Sequence, residues 1–173
     1  MNPKLRFAIF LSQLALLVGC GALTAQFKQA EEAKENQPRA KLRIIANSFV
    51  KAIPNKDCID WEAPGSGTVF GGIVGSSGYR GRSLDMPLPP SSVNPAGMGE
   101  MYVAANKPIT LVFETGPDSS YFCSVSGSFT PEKEKNYEAT LVLDIPKNKC
   151  FFRLNELQET RIPIKISEAK SCN

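Results

Sequence analysis

Five cysteines are the residues of this chain best suited to covalent chemistry: Cys20, Cys58, Cys123, Cys150 and Cys172. They lie far apart, with no C-x-x-C pair, and the 173-residue chain contains no histidine. That argues against a metal site and removes the Ser-His-Asp, Cys-His and histidine general-base arrangements. The four cysteines beyond Cys20 form an even set, which in an oxidising compartment reads as two disulfides with three possible pairings. We favour Cys123–Cys150, tying neighbouring strands, and Cys58–Cys172, pinning the C-terminal tail to the early part of the domain. Each bridge could add about 2–4 kcal/mol.

Three other groups could carry chemistry. Asp57, Asp60 and Glu62 are close enough for a carboxylate pair, although acids in a polar turn are usually solvated. A serine–lysine dyad is conceivable, but nothing singles one out. "GSGTVFGG" (65–72) resembles a phosphate cradle, yet it lacks the Gly-Lys-Ser/Thr ending, does not match G-x-G-x-x-G and has no helix after it. It reads as a turn- or bulge-rich loop, with no nucleotide and no cofactor. The only tryptophan, Trp61, and the "GYRGR" residues Tyr79, Arg80 and Arg82 are candidate partner-binding side chains, because rigid aromatics and arginines are common binding hot spots. The plainer alternatives are a core tryptophan beside a disulfide and a solvated loop. The expectation is a non-enzyme.

The elements that must position these residues are strands. "PITLVFET" places Ile109, Leu111 and Phe113 on one face against Thr110 and Glu114. "YFCSVSGSF" places Tyr121, Cys123, Val125 and Phe129 on one parity. "NYEATLVLDI" opposes Tyr137, Ala139, Leu141, Leu143 and Ile145 to Glu138, Thr140 and Asp144. "RIPIKIS" opposes Ile162, Ile164 and Ile166 to Arg161, Lys165 and Ser167. Period two with one apolar face marks half-buried antiparallel strands. The short "IPKNK" connection predicts a hairpin of 137–144 with 150–157, and "KLRIIANSFVKAI" predicts one or two more strands before the Pro54-Asn55 turn. No stretch after residue 40 has a helical period. The expected fold is all-β: an antiparallel two-sheet sandwich of about seven strands, immunoglobulin-like or related, with a small barrel as the alternative. Residues 60–100 hold most of the glycines, and so long a turn-rich segment in a compact domain is usually functional or mobile. A short strand near Thr68–Val74 interrupts it.

The start of the chain is different. Lys4 and Arg6 precede an apolar run of roughly twelve residues, the secretory-signal pattern. The run is too short for a bilayer span, which needs about 20 apolar residues. Leu17-Val18-Gly19-Cys20 resembles the lipobox of bacterial lipoproteins. The resemblance implies cleavage before Cys20, a diacylglyceryl group on its thiol, and, with Gly21 rather than aspartate next, delivery to the outer membrane. Cys20 is thus the lipidation site, and several acyl chains make a lasting anchor in the lipid bilayer. The resulting division is a signal peptide at 1–19, a lipidated tether at 20–40 and a β-sandwich domain at 41–173. The "QFKQAEEAKENQPRA" tether is polar and has little apolar surface to bury; Lys28 and Glu32 stand at i,i+4 spacing. Losing Lys4 and Arg6 from 20 basic residues leaves 18 against 17 acidic, with no basic stripe and hence no nucleic-acid partner.

From residue 41, the strand–Cys–Trp pattern ending at Cys58 and Trp61, and the later Cys…Phe-x-Pro…Tyr-Glu…Cys pattern, resemble a type of small secreted or lipid-anchored domain of Gram-negative bacteria. That resemblance implies envelope location, disulfides and a β-rich fold, but no activity. Two other lipoprotein classes fit less well. The Arg-Pro-x-Pro and Arg-x-Tyr patterns of the type VI secretion lipoprotein are missing, as is the Trp-Thr-Lys-Gly motif of membrane-bound lysozyme inhibitors. The leading expectation is a non-enzymatic envelope lipoprotein binding or scaffolding a protein partner. The alternatives are an inhibitor or immunity protein against an envelope-acting hydrolase, and a small hydrolase using acidic residues.

Overall fold

The computed structural model describes residues 27–71, 78–91, 97–115, 121–147 and 149–173. The leader and Cys20 lie outside the described residues. Ten strands follow in chain order: β1 (Arg39–Ile45), β2 (Phe49–Pro54), β3 (Gly67–Phe70), β4 (Met98–Ala104), β5 (Ile109–Glu114), β6 (Ser124–Phe129), β7 (Asn136–Asp144), β8 (Lys149–Leu157), β9 (Arg161–Ile164) and β10 (Ser167–Glu168). They form two five-stranded sheets, ordered β4-β1-β7-β8-β9 and β10-β6-β5-β2-β3. This is the expected two-sheet sandwich and not the barrel, with more strands than expected because β4, inside the glycine-rich segment, and the two-residue β10 were not read as strands.

The expected hairpin is present: β7 and β8 pair antiparallel from Tyr137↔Glu156 to Asp144↔Lys149. One pairing departs from expectation. β1 and β7 run parallel, with Arg43 opposite Glu138, so the first sheet is mixed. Parallel neighbours need a long crossover, and alternation along each strand does not reveal its direction.

The core fills the space between the sheets. Leu42, Ile44, Met101, Tyr137, Ala139 and Leu154 from one meet Val50, Ala52, Phe70, Leu111 and Phe113 from the other. The Phe113 and Phe152 rings meet across the layers with centroids 5.0 Å apart. Gly127 makes room for this: a Cβ there would lie 2.7 Å from both Ile166 and the Phe152 ring.

The two sides of the sandwich are finished differently. On the β3/β4 side, backbone bonds from 28–33 and 78–82 stitch the layers together. The Ala30 amide donates to Thr68 O (2.9 Å), the Ala33 amide to Tyr102 O (3.1 Å), the Tyr79 amide to Val69 O (2.8 Å) and the Gly81 amide to Met98 O (2.7 Å). Gly78 permits this approach, since its φ is +50° and a Cβ would fall 1.9 Å from Val69 O. Part of the expected spacer is therefore packed on the domain. Ala30 is fully buried and Ala33 nearly so, because small side chains let the backbone approach an open sheet edge. Lys28 pairs with Glu31 (3.4 Å), while Glu32 turns inward to Arg82 (2.7 Å). On the opposite side, the chain leaves β9 after Ile164, crosses to β10 and leaves a gap between the layers.

Candidate functional site

Both disulfides pair as expected. Cys58–Cys172 ties the C-terminal tail to the loop after β2, with Cα atoms 5.2 Å apart. Cys123–Cys150, at 6.2 Å, does not join neighbouring strands. Cys150 lies on β8 of the first sheet and Cys123 immediately precedes β6 of the second, so this bridge staples the two layers at one end of the sandwich.

That end carries the main apolar surface. Phe122 is 81% exposed and Ile145 62%, with Phe151 and Leu143 at 39% and 36%. Phe122 precedes Cys123, Phe151 follows Cys150, Leu143 pairs with Cys150, and Ile145 stands two residues beyond Leu143. Four large side chains thus stand at one covalently fixed end of the sandwich, Leu143 on the Cys150 face of the first sheet and Phe151 on its other face. Sequence reading assigned Leu143 and Ile145 to the buried face of β7. Their parity is inward, but the sandwich ends before it reaches them. The usable signal was the placement of Phe122 and Phe151 beside cysteines.

The expected binding residues, Trp61, Tyr79, Arg80 and Arg82, do not lie there. Tyr79 is buried, and its hydroxyl donates to Ala30 O (2.7 Å). Burial and the neighbouring Glu32 raise its pKa, consistent with a phenol held neutral. Arg82 is bound to Glu32 and lies 5.4 Å over the Tyr79 ring. Arg80 is exposed and bridges to Gly99. These three residues form the β3–β4 seam. Trp61 sits on the outer face of the second sheet, packed with Ile59 against Ile53, Ala63 and Val112, with the Lys51 ammonium 5.1 Å from its ring. It is a half-exposed cover residue near the Cys58 bridge.

Of the acidic trio, Asp60 serves the same cover, while Asp57 and Glu62 are exposed. Asp60 binds Lys56 (3.1 Å) and accepts the Glu62 amide (3.1 Å), while the Ser66 hydroxyl donates to Asp60 O (3.0 Å). The Lys56 hydrogen bond outweighs desolvation and holds the Asp60 carboxyl below its usual range, opposite to the shift a general acid needs. "GSGTVFGG" contributes strand β3, with Thr68, Val69 and Phe70 buried; Gly72 is outside the described residues.

A polar network passed unnoticed in the sequence. Arg43 is 3% exposed and lies between Glu100 (2.6 Å) and Glu138 (3.1 Å), which are 1% and 0% exposed; Arg161 reaches Glu138 from the margin (3.0 Å). Residues 84–91 strap across it. The Leu84 amide donates to Glu100, the Ser91 amide to Glu138 (3.3 Å), Arg43 to Leu88 O (3.0 Å), Lys41 to Leu84 O (2.7 Å) and Arg161 to Pro89 O. The outer face of this sheet is thus covered over β4, β1 and the start of β7.

Among the described residues two hollows stand out: a cavity of about 230 Å³ lined by Glu31, Glu32, Lys34 and Asn55, and a groove of about 800 Å³ on the open side, lined by Thr140, Val142, Phe152, Arg153, Ile164 and Ile166 among others. Asp57, Asp60 and Glu62 line neither of them. No family model, curated protein or solved structure matches this chain.

Proposed function

We propose that this chain is an envelope lipoprotein, anchored in the outer membrane through acyl chains on Cys20, whose sandwich is a non-enzymatic binding or scaffold module for a protein partner. The observation that carries the binding reading is the rim of Phe122, Leu143, Ile145 and Phe151 around Cys123–Cys150. Exposed apolar side chains held on a rigid frame favour association, because little conformational freedom is lost on contact. The inhibitor alternative needs a protruding rigid loop; of 75–82, residues 78–82 are held in the seam and 75–77 lie outside the described residues.

The test is a photocrosslinking amino acid placed at Phe122 in cells, with Lys133, beyond the other end of β6, as control. One abundant envelope protein captured at Phe122 and not at Lys133 is the expected result. No product above the control would overturn the binding reading. Cys20→Ser should shift the protein from membranes to the soluble envelope fraction; retention on membranes would overturn the anchor.

A further inference from the structure

The open side of the sandwich ends in an unfinished ladder. β9 pairs with β8 only from Leu154↔Ile164 to Leu157↔Arg161. Beyond it, the β8 edge from Lys149 to Phe152 has no ladder partner among the described residues, and the chain has already crossed to pair Ser167 with Ser128 in the other sheet. An unpaired edge presents a row of backbone donors and acceptors. The groove of about 800 Å³ opens beside it.

The side chains on this edge follow a pattern. Lys149, Phe151 and Arg153 alternate onto one face, opposite Asp144, Val142 and Thr140 of β7. All three are exposed, and the Arg153 guanidinium lies 5.5 Å from the Phe151 ring centroid. The one acid facing them, Asp144, is engaged by Lys147 at 3.2 Å. Neither Lys149 nor Arg153 forms an ion pair among the described residues. The edge is therefore cation–aromatic–cation.

That order distinguishes between occupants. In a two-fold antiparallel pairing of two copies centred on Phe151, Lys149 of one would stand opposite Arg153 of the other, and like charges directly opposed are destabilising. A foreign strand with an acid two residues before and two residues after an apolar residue meets the reverse: both acids face cations and the apolar residue faces Phe151. We infer that the β8 edge at 149–152 binds an extended acidic segment of a partner protein by strand addition, reading an acid-x-apolar-x-acid pattern. Backbone hydrogen bonds would supply the pairing and the cations the selection. The inference rests on the protein-binding reading above and names the partner's chemistry.

The probe is a fluorescein-labelled peptide, Ser-Glu-Thr-Val-Thr-Glu-Ser, titrated into the full chain at low salt and followed by anisotropy. Saturable binding is expected, at least about tenfold weaker when lysines replace both glutamates and when Arg153→Glu or Lys149→Glu is introduced. Backbone N-methylation of the peptide should abolish binding, and hydrogen exchange should slow with the unmethylated peptide at those amides of 149–152 that point away from β7. No binding, or binding without amide protection and indifferent to N-methylation, overturns strand addition. The cations then serve only to keep the edge from pairing. The two readings fail separately: capture of a partner at Phe122 with no peptide effect at β8 leaves a protein-binding module without this mode.

Discussion

The two outer faces of the sandwich are covered by loops of similar length and opposite chemistry. Over β4, β1 and β7 lies the strap 84–91, and beneath it are charges: Arg43 between Glu100 and Glu138, with Arg161 at the margin. Over β2 and β5 lies the loop 56–63, and beneath it the contact is mainly apolar: Ile59, Trp61 and Ala63 on Ile53 and Val112, beside the Lys51–Glu114 pair (2.7 Å), with Cys58–Cys172 tying the loop to the C-terminal tail. An apolar cover loses stability roughly in proportion to the area uncovered. A buried ionic cover is less forgiving, since removing one partner leaves another charge without compensation in a dry place. The comparison separates two ways of hiding a sheet face: one graded and covalently tethered, the other dependent on a complete set of partners.

The largest effect is expected at the ionic face. Glu138→Ala removes the carboxylate shared by Arg43 and Arg161 and should cost about 3–5 kcal/mol in urea unfolding. A loss below about 1 kcal/mol would mean that the buried network is not what holds this face. Removing the tether of the other face, with Cys58→Ala and Cys172→Ala together, should cost about 2–4 kcal/mol. Hydrogen exchange should then rise at 56–63 and leave 84–91 unchanged; a rise at both would show that the two covers are coupled.

The smallest and most selective effect is that of pH. Burial pushes the Glu138 carboxyl up, but hydrogen bonds from Arg161, Ser91 and Arg43 outweigh it and hold the pKa below its ordinary value. A carboxylate lowered in the folded state adds stability above its unfolded pKa and loses it as pH falls through the folded one. The strap amides should therefore lose protection as pH drops below about 4, and by more than those of 56–63, where the one lowered carboxyl, Asp60, is solvent-screened. Equal loss would break the distinction between the two covers.

The candidate site was legible only in part. Cys123 and Cys150 stood out by type, and their pairing placed Phe122 and Phe151 together, but nothing local to β7 shows that Leu143 and Ile145 lie beyond the end of the core. Tyr79 has the composition of a contact residue. Its position at the seam depends on Ala30, 49 residues earlier, whose carbonyl accepts its hydroxyl. Trp61 was readable as either an anchor or a cover residue, and its packing on Val112 makes it a cover residue.

What the sequence determined by itself is whatever has a short period or a countable set. Alternation over 109–114 and 137–144 specifies strands, because side chains change face at every residue. The short connection before Cys150 specifies the β7–β8 hairpin, and four widely spaced cysteines specify two bridges. The tertiary structure decided what depends on distant partners. Arg43 meets Glu100 and Glu138 across 57 and 95 residues of chain, and β1 and β7 chose a parallel register that alternation cannot encode. Whether a polar strand face meets water or a strap is settled by a loop with no periodicity of its own. Glu138 could therefore read as solvated and yet be completely buried.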